Sequence, residues 1–321
     1  MNKTATIPIN KIPASTIKDR FNLGMILRLI LFVLLPNLVT TPLRIFVEAV
    51  IEGHKEAPNF VTVPFIIYGI CAEFIVGFGY LMIGYKLPIK NTILRGFTYI
   101  MLIFFSSYLP NILAMLGGDG KIIQESLTMG IIIVDIVSYT LKGLILGLLM
   151  KNFDVKNIDI KTTDVEPTDE TQSISSTSFF VCSIINGFLF AGLNYITDII
   201  AGAVNNSWRL CSILGVSSNR EASFYIVFTI FMFIAGALLP IWNRYCLPKD
   251  ASISESIAFS LEVSLFVWLP NVLIMAFFGT PVLITMAYGV SYTFIIIICI
   301  LVYRALNNHL LNLVVGMDLH N

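Results

Sequence analysis

The sequence predicts an all-α integral membrane protein with eight transmembrane helices, built as two parallel four-helix repeats. Three observations support this fold class: a strongly apolar composition, apolar runs of membrane-spanning length, and a pattern that recurs in the two halves. Of the 321 residues, 56% are hydrophobic and 12% are charged, whereas soluble proteins have about 45–50% apolar and about 25% charged residues. With a mean hydropathy of +0.84, the composition excludes a water-soluble enzyme.

The apolar runs define the predicted spans, since a bilayer needs about 18–20 apolar residues per helix. Eight runs qualify: 22–47, 60–84, 96–117, 127–150, 179–204, 222–243, 256–279 and 281–305. The first run is too long for the apolar part of a cleavable signal peptide. We therefore expect it to remain as the first span.

The distribution of Lys and Arg predicts the orientation. With the N-terminus inside, 13 of the 20 basic residues fall on the cytoplasmic side and 4 on the opposite side, while Arg28, Arg44 and Lys142 lie within spans. This asymmetry follows the positive-inside rule. It predicts cytoplasmic termini, with the plasma membrane as the default location.

A long polar segment divides the chain into residues 1–150, the linker 151–176, and residues 177–321. The linker is acidic and rich in Ser and Thr, with too few large apolar residues to fold alone. We interpret it as a solvated cytoplasmic connection. A docking or phosphorylation role is the open alternative.

A set of identities relates the two halves at one ungapped shift of 160 residues. The pairs are Tyr85/Tyr245, Leu87/Leu247, Pro88/Pro248, Ile93/Ile253, Leu109-Pro110-Asn111/Leu269-Pro270-Asn271, Leu113/Leu273 and Met115/Met275. A further match, Val137-Ser138-Tyr139-Thr140 with residues 290–293, has a shift of 153. Because each half has an even number of spans, the predicted duplication is parallel rather than inverted.

Every odd-numbered span carries an Asn about fifteen residues after its cytoplasmic end, at Asn37, Asn111, Asn194 and Asn271. At ~1.5 Å per residue all four lie roughly 22 Å into the membrane. Three follow a Pro (Pro36, Pro110, Pro270) that removes a helical hydrogen bond and predicts a kink. Such kinks either shape helix packing or converge on a polar site, as in many transporters.

Three charges lie far from the span ends: Glu73 in span 2, and Asp135 and Lys142 on one face of span 4. Lys142 can pair with Asp135, pair with Glu73 or extend toward the cytoplasm. Intramembrane ions are either paired for structure or functional, and both interpretations remain open. The matching positions of the second half hold no acid or Lys, so we expect an asymmetric site.

The remaining charges in the spans have local explanations. Arg44 and Glu48 are spaced as an i,i+4 ion pair on one helix. Arg28 and Glu262 lie near the cytoplasmic ends, where long side chains reach the headgroups, and Asp198 lies near an outer end.

No motif for phosphate binding, metal ligation or nucleophilic catalysis occurs, and no His lies in a span. We therefore expect no enzymatic activity, no metal and no cofactor. The equal numbers of acidic and basic residues argue against a nucleic-acid partner.

The predicted function is movement of a small solute or ion through a polar site between the two helical repeats. Its residues would be Asn37, Asn111, Asn194, Asn271, Glu73, Asp135 and Lys142. The partners would be the lipid bilayer and an unidentified solute, with energy from an ion gradient or a partner ATPase. The alternative is a non-transporting membrane subunit or regulator of a larger export or lipid-handling complex.

Overall fold

The computed structural model describes residues 23–47, 63–110, 129–151, 169–248, 251–277 and 280–318, and all regular secondary structure in those ranges is helical. The first half contains α1 (Leu23–Phe46), α2 (Val63–Met82), α3 (Thr92–Ile103) and α4 (Met129–Leu149). The second half contains α5 (Asp169–Val204), the short α6 (Leu210–Ile213), α7 (Glu221–Cys246), α8 (Ile253–Val263), α9 (Leu269–Phe277) and α10 (Val282–Asp318).

Seven helical stretches within the described ranges are long and apolar enough to cross a membrane, and Thr92–Tyr108 is a shorter apolar helix. The outer surface is covered with large exposed apolar side chains, as lipid contact requires. The chain is therefore a multi-pass α-helical membrane protein. The predicted third span continues into residues 111–117, which lie outside the described ranges, so the count of eight stays a prediction.

The predicted linker falls partly outside the described residues, from 152 to 168. Its last residues are helical, because α5 already begins at Asp169.

In the part of the chain that the structure describes, a π-helical turn directly precedes the Leu-Pro pair in each half. The first π segment is Phe104–Tyr108 and the second is Ser264–Trp268, 160 residues apart. In these turns the N–H groups of Leu109 and Leu269 donate to carbonyls five residues back. A Pro ring clashes with the carbonyl four residues before it, and the wider turn accommodates the ring that follows. In α1, Pro36 lies inside a helix without such a turn.

The two halves pair their helices in the same way. In the first half, α1 packs on α2 and α4, and α3 packs on α4. In the second half, α5 packs on α7 and α10, and both α8 and α9 pack on α10. Between the halves, α2 contacts the second π segment and α7 contacts the first. The Ser107 hydroxyl donates to the carbonyl of Val267 at 2.9 Å, so residues 160 apart meet at this interface. Two parallel repeats would produce this arrangement, and the duplication itself stays a prediction.

The contact of α3 with α4 depends on Gly96, Gly143 and Gly147. A Cβ atom on Gly96 would lie 2.5 Å from the Gly147 nitrogen and 2.8 Å from the Gly143 carbonyl oxygen. Small residues allow helix backbones in membranes to approach this closely.

Candidate functional site

Glu73 is the centre of a polar contact among α1, α2 and α4. Its Oε1 atom accepts the Lys142 ammonium at 2.5 Å, and its Oε2 atom accepts Asn37 Nδ2 at 2.6 Å. The Glu73 and Lys142 side chains are only 13% and 15% exposed. Of the alternatives open for Lys142, the structure therefore shows pairing with Glu73.

Asp135 is the centre of a second contact, nearer the N-terminal end of α4. Its Oδ1 atom lies 3.3 Å from Arg44 Nη1, and its Oδ2 atom accepts the Tyr108 hydroxyl at 2.9 Å. Arg44 thus pairs with an acid on another helix. Glu48, the partner predicted from i,i+4 spacing, lies outside the described residues.

An aromatic stack joins the two contacts. The Tyr139 ring lies between Asp135 and Lys142 on α4, 4.8 Å from the Tyr108 ring and 5.3 Å from the Lys142 ammonium. Ion pairs and rings are therefore continuous along α4 from Lys142 to Asp135. Arg44, Glu73, Asp135 and Lys142 are called the charge cluster below.

The three predicted Asn residues that the structure describes do not share one contact. Asn37 belongs to the Glu73 site and also donates to Val33 O at 2.8 Å. Asn194 is buried in the second half and donates to Phe190 O, likewise four residues back and at 2.8 Å. Asn271 is half-buried on α9, and Asn111 lies outside the described residues.

The second half has the same aromatic stack without the charges. Trp268 stacks on Tyr292 at 5.2 Å, at the positions that match Tyr108 and Tyr139. The positions that match Glu73, Asp135 and Lys142 hold Phe233, Tyr288 and Ile295. The charge cluster thus lies within the first half, whereas the sequence analysis expected a polar site between the halves.

Asp198 is the buried acid of the second half, and the sequence analysis assigned it no role. Its side chain is completely buried and accepts the backbone N–H of Leu210 at 2.7 Å. The Tyr288 hydroxyl donates to it at 3.0 Å, as does the Tyr225 hydroxyl. The available signal was its position four residues after Asn194 on one helix face.

Arg209 completes the Asp198 contacts. Its Nε atom lies 3.8 Å from Asp198 Oδ2, its Nη1 atom pairs with Glu221 at 2.5 Å, and its guanidinium lies 5.1 Å from the Tyr225 ring centre. Every contact to the Asp198 carboxylate comes from a donor. The arrangement therefore ties the segment 205–213 to α5, α7 and α10.

Replacing Asp198 by Asn is expected to lower the free energy of unfolding by about 1–3 kcal/mol. The substitution turns one carboxylate oxygen, which accepts hydrogen bonds, into an NH₂ group, which cannot accept them. The donors that face this oxygen then lose their partner. The measurement is thermal unfolding in detergent together with limited proteolysis of residues 205–220. Glu262→Gln is the control, since Glu262 pairs with Lys86 at a half-exposed site. Unchanged melting and unchanged cleavage of Asp198→Asn would contradict the structural role.

No family model, curated protein or solved structure matches this chain. Its function is therefore argued from the geometry of the charge cluster.

Proposed function

We propose that this protein moves a small solute or ion across the membrane and that the charge cluster recognises the charge of that solute or couples its movement to protons. The supporting observation is that two ion pairs, Arg44–Asp135 and Lys142–Glu73, lie within candidate spans. A single charged residue at the centre of a spanning helix costs about 2.5–3.5 kcal/mol on insertion scales. Glu73, Asp135 and Lys142 lie away from the ends of their spans, and the cost of burying them requires a compensating role.

A comparison with the second half supports a functional role for these charges rather than a structural one. It pairs its helices in the same way with Phe233, Tyr288 and Ile295 at the matching positions. Uncharged side chains therefore suffice at these three positions, although the second half has its own ion pair elsewhere, between Asp198 and Arg209. Charges at these positions in the first half favour a function that needs them.

The cluster has no net charge, because two acids face two bases. An ion that enters it must exchange with one of these partners, or it leaves an uncompensated charge in a poorly solvated region. Protonation of Glu73 would release Lys142 from its partner at 2.5 Å. We expect this exchange of partners to couple the movement of protons or of a charged solute to a change in helix packing.

The topology belongs to the same proposal. We infer eight spans in two parallel repeats, both termini in the cytoplasm and residence in the plasma membrane, supported by the distribution of basic residues and by the matching helix pairs. Energy would come from an ion gradient or from a partner ATPase.

A thermal-stability screen tests this function. The purified protein is melted with ions, amino acids, nucleosides, vitamins and lipids, since a ligand of the folded state raises the melting temperature by mass action. We expect a compound whose shift disappears in Glu73→Gln and Asp135→Asn and persists in the control Glu262→Gln. A shift retained in both cluster variants would place binding elsewhere.

The competing function is a non-transporting membrane subunit. It is favoured by one observation, that each charge of the cluster already has a partner of opposite sign, as a rigid support would also require. A screen without hits, for a protein that stays folded only with a co-purifying partner, would favour this subunit.

A further inference from the structure

The two members of the Glu73–Lys142 pair are held to different extents. The Glu73 carboxylate is held at both oxygens, by the Lys142 ammonium at 2.5 Å and by Asn37 Nδ2 at 2.6 Å. If Lys142 moved away, Asn37 would still donate to Glu73. If Glu73 moved away, the Lys142 ammonium would keep its contact with the Tyr139 ring and lose its counter-ion. Glu73 is therefore the fixed member of the pair, and Lys142 is the member that exchanges.

The positions of the two residues on their helices favour the same assignment. Glu73 has a short side chain in the middle of α2 (Val63–Met82). Lys142 has a long flexible side chain, which in a helix leans toward the N-terminus and hence toward Asp135. Asp135 lies about 10 Å away along that face of α4, and the Lys142 charge already acts on it. Lys142 therefore has a second acid to which it can move.

The Asp135 site can accept Lys142 because its present cation can leave. Arg44 lies in the last turn of α1, and its side chain is 25% exposed, against 9% for Asp135. An arginine near the end of a span reaches the headgroups with its guanidinium. A cation that enters at Glu73 thus shifts the cations of the cluster one place along, and the last of them is solvated. An entering anion would instead have to displace Glu73, which is short, central and fixed by Asn37.

The groups around the Lys142 ammonium are those that recognise an organic ammonium. The Glu73 carboxylate supplies the opposite charge, and the Tyr139 ring presents the aromatic face that attracts a cation. A hard metal ion such as Ca²⁺ or Mg²⁺ needs about six oxygen ligands. Within the described residues no group of three or more His, Cys, Asp or Glu could hold a metal ion. The site therefore favours an organic ammonium over a divalent metal ion.

We infer that Glu73 is the binding site of a small organic ammonium solute and that Lys142 occupies this site until the solute displaces it. The inference rests on the proposed function and assigns a positive charge to its solute. The solute takes the space that the Lys142 ammonium leaves, beside side chains that are 13% and 15% exposed. It must therefore present a primary ammonium on a narrow chain, like the lysine side chain that it replaces.

Chemical rescue of Lys142→Ala in the full chain tests this site. Alanine keeps the Cβ atom, and propylammonium supplies the three carbons and the ammonium that the substitution removes. We expect the variant to melt at a lower temperature than the parent protein, and propylammonium chloride to restore most of this loss by binding the folded state. Sodium chloride and sodium propionate at equal concentration are the controls for ionic strength and for the sign of the charge. Equal shifts with all three salts would overturn the inference.

Two further variants separate binding at Glu73 from general effects of an amine. In Glu73→Gln/Lys142→Ala the acid is absent, so we expect no rescue. Lys86→Ala is the matched single variant, since the Lys86–Glu262 pair is half-exposed and water solvates the acid that remains. There we expect propylammonium to have no more effect than sodium chloride. Rescue of the double variant would place the amine elsewhere and contradict the site.

The parent protein provides a measurement that does not depend on the folding of Lys142→Ala. Propylammonium should raise its melting temperature, and this shift should disappear in Glu73→Gln. A shift with propionate and none with propylammonium would reverse the sign of the solute and overturn the inference.

The outcomes distinguish this inference from the proposed function. An anionic compound whose stabilising shift depends on Glu73, without rescue by propylammonium, would overturn the inference and leave the proposed function standing. Rescue by propylammonium in a protein that takes up no alkylammonium when reconstituted in liposomes would support the site and contradict transport.

Discussion

Replacing Lys142 by methionine is expected to lower the free energy of unfolding by about 3–5 kcal/mol, because it leaves the Glu73 carboxylate buried without its cation. The pair is direct, with 2.5 Å between Lys142 Nζ and Glu73 Oε1, and both side chains are largely buried. Asn37 still donates to Glu73 but brings no charge. The measurement is equilibrium unfolding in mixed micelles of mild and denaturing detergent.

The double variant Glu73→Gln/Lys142→Met should recover most of this loss, because no charge remains unpaired. Lys86→Met is the matched control: the Lys86–Glu262 pair has a distance of 3.4 Å, and its side chains are 29% and 30% exposed. For that exposed pair we expect a loss of at most about 1 kcal/mol. Equal losses for the two Lys variants would show that the cluster is solvated.

Replacing Gly147 by alanine is expected to destabilise the protein by about 1–3 kcal/mol through overpacking. The new Cβ atom would collide with the Ile93 backbone and lie 2.6 Å from Thr92 O. Backbone atoms cannot move aside as a flexible side chain can, so α3 and α4 must separate. The same detergent titration measures the loss.

Gly192 on α5 provides the control, because it is exposed and a Cβ atom there meets nothing within 4 Å. Alanine at Gly192 should be neutral or stabilise by up to about 1 kcal/mol, since it is the better helix former. If Gly147→Ala also stabilises the protein, the close packing of α3 on α4 is contradicted.

Identifying the charged residues was possible from the sequence, whereas identifying their partners was not. Glu73, Asp135 and Lys142 were recognisable because ionised groups are rare in apolar runs. Lys142 nevertheless had two acids within reach, and Arg44 had an acid four residues away on its own helix. The observed Arg44–Asp135 pair joins residues 91 positions apart, a contact that depends on how α1 and α4 are rotated toward each other.

The Asn residues illustrate a second limit. Counting residues along a helix predicts depth in the membrane, because the rise per residue is constant. It does not predict the direction in which a side chain points. Asn37 and Asn194 both donate to carbonyls four residues back, yet they belong to different halves of the molecule.

The sequence by itself determined the membrane class, the positions of most spans and the register of the Leu-Pro pairs that follow the two π segments. These properties depend on local composition and on proline chemistry, which each segment carries alone. Only the tertiary structure decided that Glu73 pairs with Lys142 and that Asp198 accepts hydrogen bonds from α6, α7 and α10. Those contacts depend on the rotation and close approach of helices far apart in the chain, which no single segment encodes.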